Sequence, residues 1–185
     1  LVPGINRVLV QAMGANNQEL ARQTIDIWYD DSTAPIYTGT IAASTTWAAA
    51  DGPHRVSGEL IVASGATLTI EAGATVFFNP GASLNVHGRL LAVGTDTQHI
   101  RFARLPTAVG DWNGMAFDHP SLVSRLVNVD IEGAGAADTL TVNSSSIEVE
   151  RATFGPTNHS VLEFTNSSVL VRDSVFPNSG PGTLI

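Results

Sequence analysis

Short alternating apolar bursts return along this chain at a spacing in the low twenties, and no helical pattern stands between them. Leu60 and Val62 return 24 positions later as Leu84 and Val86. Leu68 and Ile70 return 22 positions later as Leu90 and Ala92. That second series reads on through Met115/Phe117, Leu140/Val142 and Leu162/Phe164 at steps of 25, 25 and 22, with Leu184 a further 22 on. A third series runs from Val76/Phe78 to Ile100/Phe102, a step of 24, and then through Ile131, Phe154 and Phe176. Late in the chain the repeat is direct: SIEVERATFGP from Ser146 aligns with SVLVRDSVFPN from Ser168.

A period of this length without helices is the mark of a solenoid. Three short strands, each ended by glycine or a polar bend, make one coil, and each coil stacks on the last around a column of inward side chains. Alternation sends Leu68 and Ile70 inward and Thr67, Thr69 and Glu71 outward. A β-sandwich also uses short strands and turns, but gives no reason for three in-phase series at a common period. The expected fold is therefore all-β: a parallel β-helix of about 22–25 residues per coil, preceded by an N-terminal β-hairpin.

Residues 1–31 supply the hairpin, with INRVLVQA and ARQTIDIWYD as strands and GANNQE as the turn. Residues 32–56 read as a linker and N-terminal cap, and 57–185 as the β-helix, truncated where PGTLI stops at the start of a new coil. An isolated hairpin is marginal in water, so this one calls for a partner.

The run VSGELIVASGATLTIEAGATVFFNPGASLNVHGRLLAVGT, followed by HIRF and DWNGMAF, resembles the right-handed parallel β-helix, pectin-lyase-like domains of large secreted multidomain bacterial proteins. The segment before it resembles the last strands of an immunoglobulin-like domain. The resemblance implies an extracellular or cell-surface module and a fold on which many relatives cleave acidic polysaccharides.

The residues themselves speak weakly for catalysis. Hydrolysis needs paired carboxylates facing one cleft, and lyases commonly use carboxylate-bound calcium with an Arg or Lys base. The acids here are scattered. AFDHP offers Asp118 and His119, which resemble the Asp-His pair after a strand in pectate lyases, and RLP offers Arg104, without the second arginine of that motif. These three are the catalytic candidates. No histidine pair has metal-ligand spacing, so no metal or other cofactor is expected, with calcium the one ion worth testing. One outward face, carrying Thr67, Thr69, Glu71, Arg89, Thr139, Thr141 and Glu163, is the candidate ligand surface for a polysaccharide or another extracellular protein.

Nine basic against 17 acidic residues give a net charge of −8, which disfavours nucleic acid. No run is apolar and long enough to insert in a membrane. Exposed sheet edges at the helix ends favour end-to-end self-association. The expected function is a non-catalytic spacer or adhesion and glycan-contact surface. The alternative is a polysaccharide lyase or glycoside hydrolase.

Overall fold

The computed structural model describes residues 4–29, 34–119 and 122–177. The chain opens with β1 (Gly4–Met13) and β2 (Glu19–Tyr29), an antiparallel hairpin that forms its own two-stranded sheet. Next come β3 (Ile36–Ile41), β4 (Thr45–Trp47), a 3-10 turn (Ala49–Asp51), β5 (His54–Val62) and β6 (Thr67–Ile70). They are followed by β7 (Thr75–Phe78), β8 (Ser83–Val86), β9 (Arg89–Val93), β10 (Ile100–Arg104) and β11 (Met115–Asp118). The last five are β12 (Ser124–Glu132), β13 (Leu140–Asn143), β14 (Ser146–Phe154), β15 (Leu162–Thr165) and β16 (Ser168–Arg172). From β3 onward the strands pair in parallel and wind a β-solenoid of about six turns.

Three sheets line the solenoid. Sheet A stacks β4, β6, β9, the first half of β12, the first half of β14, and β16. Sheet B stacks the first half of β5, then β7, β10 and the second halves of β12 and β14. Sheet C stacks the second halves of β3 and β5, then β8, β11, β13 and β15. Strand spacing of about 4.8 Å makes a six-coil stack on the order of 25 Å long.

The apolar bursts fold this way because alternate residues point to one side. In β6 Leu68 and Ile70 are buried while Thr67 and Thr69 are half-buried on the outside. Inward residues then stack coil on coil: Leu60, Leu84, Met115, Leu140 and Leu162 form one column of sheet C, and Trp47, Ile70, Ala92, Leu126, Val149 and Val171 one column of sheet A. Each fully buried Leu, Val, Ile or Phe contributes about 1.5–3 kcal/mol.

Three readings of the sequence are corrected. Parallel pairing begins at Ile36, so the stretch taken as linker and cap carries the first coil, with β3 and β4 laid on β5 and β6. Met115 and Phe117 continue Leu84 and Val86 on sheet C, a step of 31, and not Leu90 and Ala92. Sheet A continues from Leu90/Ala92 to Ser124/Leu126, a step of 34. Loop residues 105–114 sit between β10 and β11 and lengthen the coil, so a constant period joined two different sheets. Val76 pairs with Phe102, not Ile100, while Phe102, Ile131 and Phe154 align as expected. Residues 178–185, including Leu184 and the expected truncation at PGTLI, lie outside the described residues.

Bends between sheets are held by serine hydroxyls that reach the neighbouring coil. Ser44 Oγ accepts from Thr67 N at 3.1 Å, Ser124 Oγ from Leu90 N at 3.0 Å, Ser167 Oγ from Ser145 N at 3.2 Å and Ser174 Oγ from Ala152 N at 3.2 Å. At the bend after sheet C, Asn143-Ser144-Ser145 lies on Thr165-Asn166-Ser167 of the next coil, a polar bend ladder. Ser144 and Asn166 sit there in the left-handed region, at φ 46° and 50°. Such a residue turns the chain sharply at a cost that neighbouring hydrogen bonds must offset.

Candidate functional site

The structure divides the predicted ligand surface between two sheets. Thr67, Thr69 and Arg89 lie outward on β6 and β9 of sheet A, with Glu71 one residue past β6. Thr141 and Glu163 lie outward on β13 and β15 of sheet C, as register partners. Thr139, just before β13, is buried, and its Oγ1 donates to the Ala134 carbonyl at 3.1 Å. The seven residues therefore do not share one face.

Sheet A presents Thr67/Thr69, Arg89/Leu91/Val93, Arg125, Glu148/Glu150 and Leu170/Arg172 to the outside, while Val127, on the same side, is buried. Arg125 Nε pairs with Glu148 at 2.8 Å. Arg89 Nε donates to the Val123 carbonyl at 2.9 Å. A shallow depression of about 130 Å³ lies among Arg125, Glu148, Val149, Glu150, Leu170 and Arg172. Small-molecule pockets typically run to roughly 300–1,000 Å³, so this face is a contact surface rather than an enclosing site.

The catalytic candidates separate as well. Asp118 ends β11 on sheet C, and His119 follows it at φ 53°. His119 Nδ1 lies 2.6 Å from Asp118 Oδ1. From the preceding coil, His87 Nδ1 approaches Asp118 at 3.3 Å from its carbonyl oxygen and 3.9 Å from Oδ2. The register of β8 on β11, which brings His87 to Asp118, is hidden by the 31-residue step. Arg104 stands on β10 of sheet B and pairs with Asp111 at 3.1 Å. It is committed to closing the 105–114 loop.

Charged groups elsewhere also face one another across coils. On sheet B, Arg101 bonds Glu132 at 2.7 Å and His99 meets both oxygens of Asp130 at 3.2 Å. Exposed pairs of this kind contribute about 0–1 kcal/mol each, so their effect is to fix side-chain positions more than to stabilise. Among the described residues no group of three His, Cys, Asp or Glu could hold a metal ion.

One carboxyl stands apart. Glu163 hydrogen-bonds Asp138 and feels its charge, and both effects raise its pKa above the ordinary glutamate value. Asp138 is itself positioned by the Ser160 N–H at 2.9 Å from Oδ1. A raised acid pKa means that the folded state holds the proton longer than the unfolded state. The contribution to stability is present below the unfolded pKa and is lost as pH rises through the folded pKa. Glu163→Gln is expected to remove this dependence. Thermal unfolding of variant and wild type should converge in mild acid, with the variant at least as stable at neutral pH.

Compared with protein-family models, curated proteins and solved structures, the chain matches none.

Proposed function

We propose that this chain is a non-catalytic β-helix module, a rigid spacer with an adhesion or glycan-contact surface, within a larger secreted or cell-surface bacterial protein. The observation that carries this reading is the use of the outer charges. Arg101, Arg104 and Arg125 each engage a carboxylate of the same chain, and the outer faces are flat ladders in register. Such a surface holds its shape and meets a partner broadly. The sequence resemblance to pectin-lyase-like domains, with an immunoglobulin-like segment before them, supports the extracellular setting. Polysaccharide or another extracellular protein is the proposed partner.

The test is incubation with plant, algal and bacterial polysaccharides, with and without calcium, followed by sizing of the products and pull-down. Intact chains with saturable retention on one polysaccharide are expected of a contact surface, and intact chains without retention of a spacer. Shortened chains would sink the reading.

A second reading, a polysaccharide lyase or glycoside hydrolase, draws on the closeness of Asp118, His119 and His87. It requires that Asp118→Ala and His119→Ala each abolish chain shortening. Under the leading reading the same variants leave the product profile of every polysaccharide unchanged.

A further inference from the structure

The first coil encloses a histidine that the proposed function does not use. His54 opens β5 and is 1% exposed. Its ring stacks on Trp47, with centroids 4.9 Å apart and planes 10° from parallel, and Tyr37 lies against both rings. His54 Nε2 is 2.9 Å from the Ala48 carbonyl. A carbonyl only accepts, so Nε2 carries the proton. His54 Nδ1, 3.3 Å from the Tyr37 hydroxyl, is then the acceptor of the Tyr37 proton. Neutral imidazole has one donor and one acceptor, and both are used.

We infer that His54 is a proton-sensitive lock on the first coil: neutral, it ties β3, β4 and the Ala49–Asp51 turn together, and protonated, it releases them. A second proton would sit on Nδ1 facing a hydroxyl that is donating to it. Tyr37 would have to turn away, and a cation would stand in a buried aromatic stack. The charged and titratable groups around it are few. Tyr37 comes from β3 and Asp51 from the 3-10 turn, while β4 adds Trp47 and β7 adds Val76, its register partner, neither of which titrates. On its own strand, Arg55 Nε bonds Asn79 at 2.9 Å, on the outer side. Burial lowers the His54 pKa more than the Ala48 hydrogen bond and Asp51 raise it. The sign follows: stability from the neutral ring is present above the unfolded pKa and is lost as pH falls through the folded pKa.

The coil to be released is an end of the stack: among the described residues β3 pairs on one side with β5 and β4 on one side with β6, as β15 and β16 do at the other end. Trp47 Nε1 is buried without a hydrogen-bond partner, so the seal is already imperfect. Local opening of such an end lies well below global unfolding. Release uncovers the edges of β5 and β6, the kind of surface that recruits another strand.

Hydrogen exchange of the full chain at about pH 7.5 and about pH 5, corrected for intrinsic rates, tests this. Expected is a loss of protection of roughly tenfold or more in residues 36–47 in acid, with β8, β11 and β13 unchanged. His54→Phe, which keeps the stack and cannot titrate, should abolish the loss. Equal loss in the variant, uniform loss in all coils, or no loss would each overturn the lock. Should the variant fail to fold, the wild-type His54 ring resonance provides the second readout. It must shift in step with the β3 amides, and titration without any response in β3 overturns the inference.

Discussion

Trp112→Ala is expected to lower the unfolding free energy by about 3–5 kcal/mol, the range for deleting a buried aromatic side chain. Trp112 lies in the 105–114 loop, yet it is fully buried and stacks on Phe78 with centroids 3.9 Å apart and planes 9° from parallel. Its Nε1 donates to the Glu132 carbonyl at 2.9 Å, and its backbone bonds Gly133 and Ala136. The indole therefore pins the long loop to the next coil and fills the corner between sheets B and C. Truncation leaves a cavity that flanking strands cannot close, because their spacing is fixed by the ladder. In a domain of this size the loss corresponds to a fall in Tm of roughly 10 °C. Trp112→Phe keeps the stack, loses the N–H bond, and should cost about 1–2 kcal/mol. Urea unfolding followed by circular dichroism measures both. A change below about 1 kcal/mol for the alanine variant would mean the corner is not a packing centre.

Gly114→Ala should cost at least about 3 kcal/mol, from two separable causes. Gly114 has φ +82°, a region that disfavours any side chain. A Cβ there would also stand 2.3 Å from the Asp138 carbonyl oxygen and 2.7 Å from that of Thr139. Both are backbone atoms of the next coil and cannot swing aside. Gly65 has the same φ, +82°, but a Cβ there meets nothing within 4 Å. Gly65→Ala therefore isolates the conformational cost, about 1 kcal/mol. The difference between the variants in the same unfolding assay is the steric cost of coil-to-coil approach. Equal losses would show that the close approach carries no weight.

The sequence disclosed the solenoid because its core obeys a local rule. Alternation in TLTI, SLNV and LTVN needs only neighbouring residues to be seen, and those stretches are strands with the expected side buried. Placement of strands on sheets needs the coil lengths, and these vary where loops intervene. Met115 and Phe117 lie 25 positions after Leu90 and Ala92, within the expected period, but 31 after their true partners. The shorter step was numerically better and physically irrelevant. That single displacement put Thr67 and Thr141 on one imagined face and hid His87 from Asp118. Trp112 and Gly114 of the DWNGMAF run hold the corner between sheets B and C, outside the alternating bursts. The His54 cluster was not legible either, because Tyr37 and Trp47 come from a stretch with too few alternating residues to announce strands. Only the registers of β3 on β5 and of β4 on β6 assemble it.

Two ways of adding residues have opposite results in this architecture. The 105–114 loop lengthens one circuit, yet Leu84–Val86 and Met115–Phe117 remain neighbours across it, so the rod gains no length. A complete extra circuit instead advances the far end by one strand spacing, about 4.8 Å. A gene can thus extend its product by duplicating whole circuits, or ornament it at the corners, as independent operations. The reach of the molecule is a whole-number quantity, and its decoration is not.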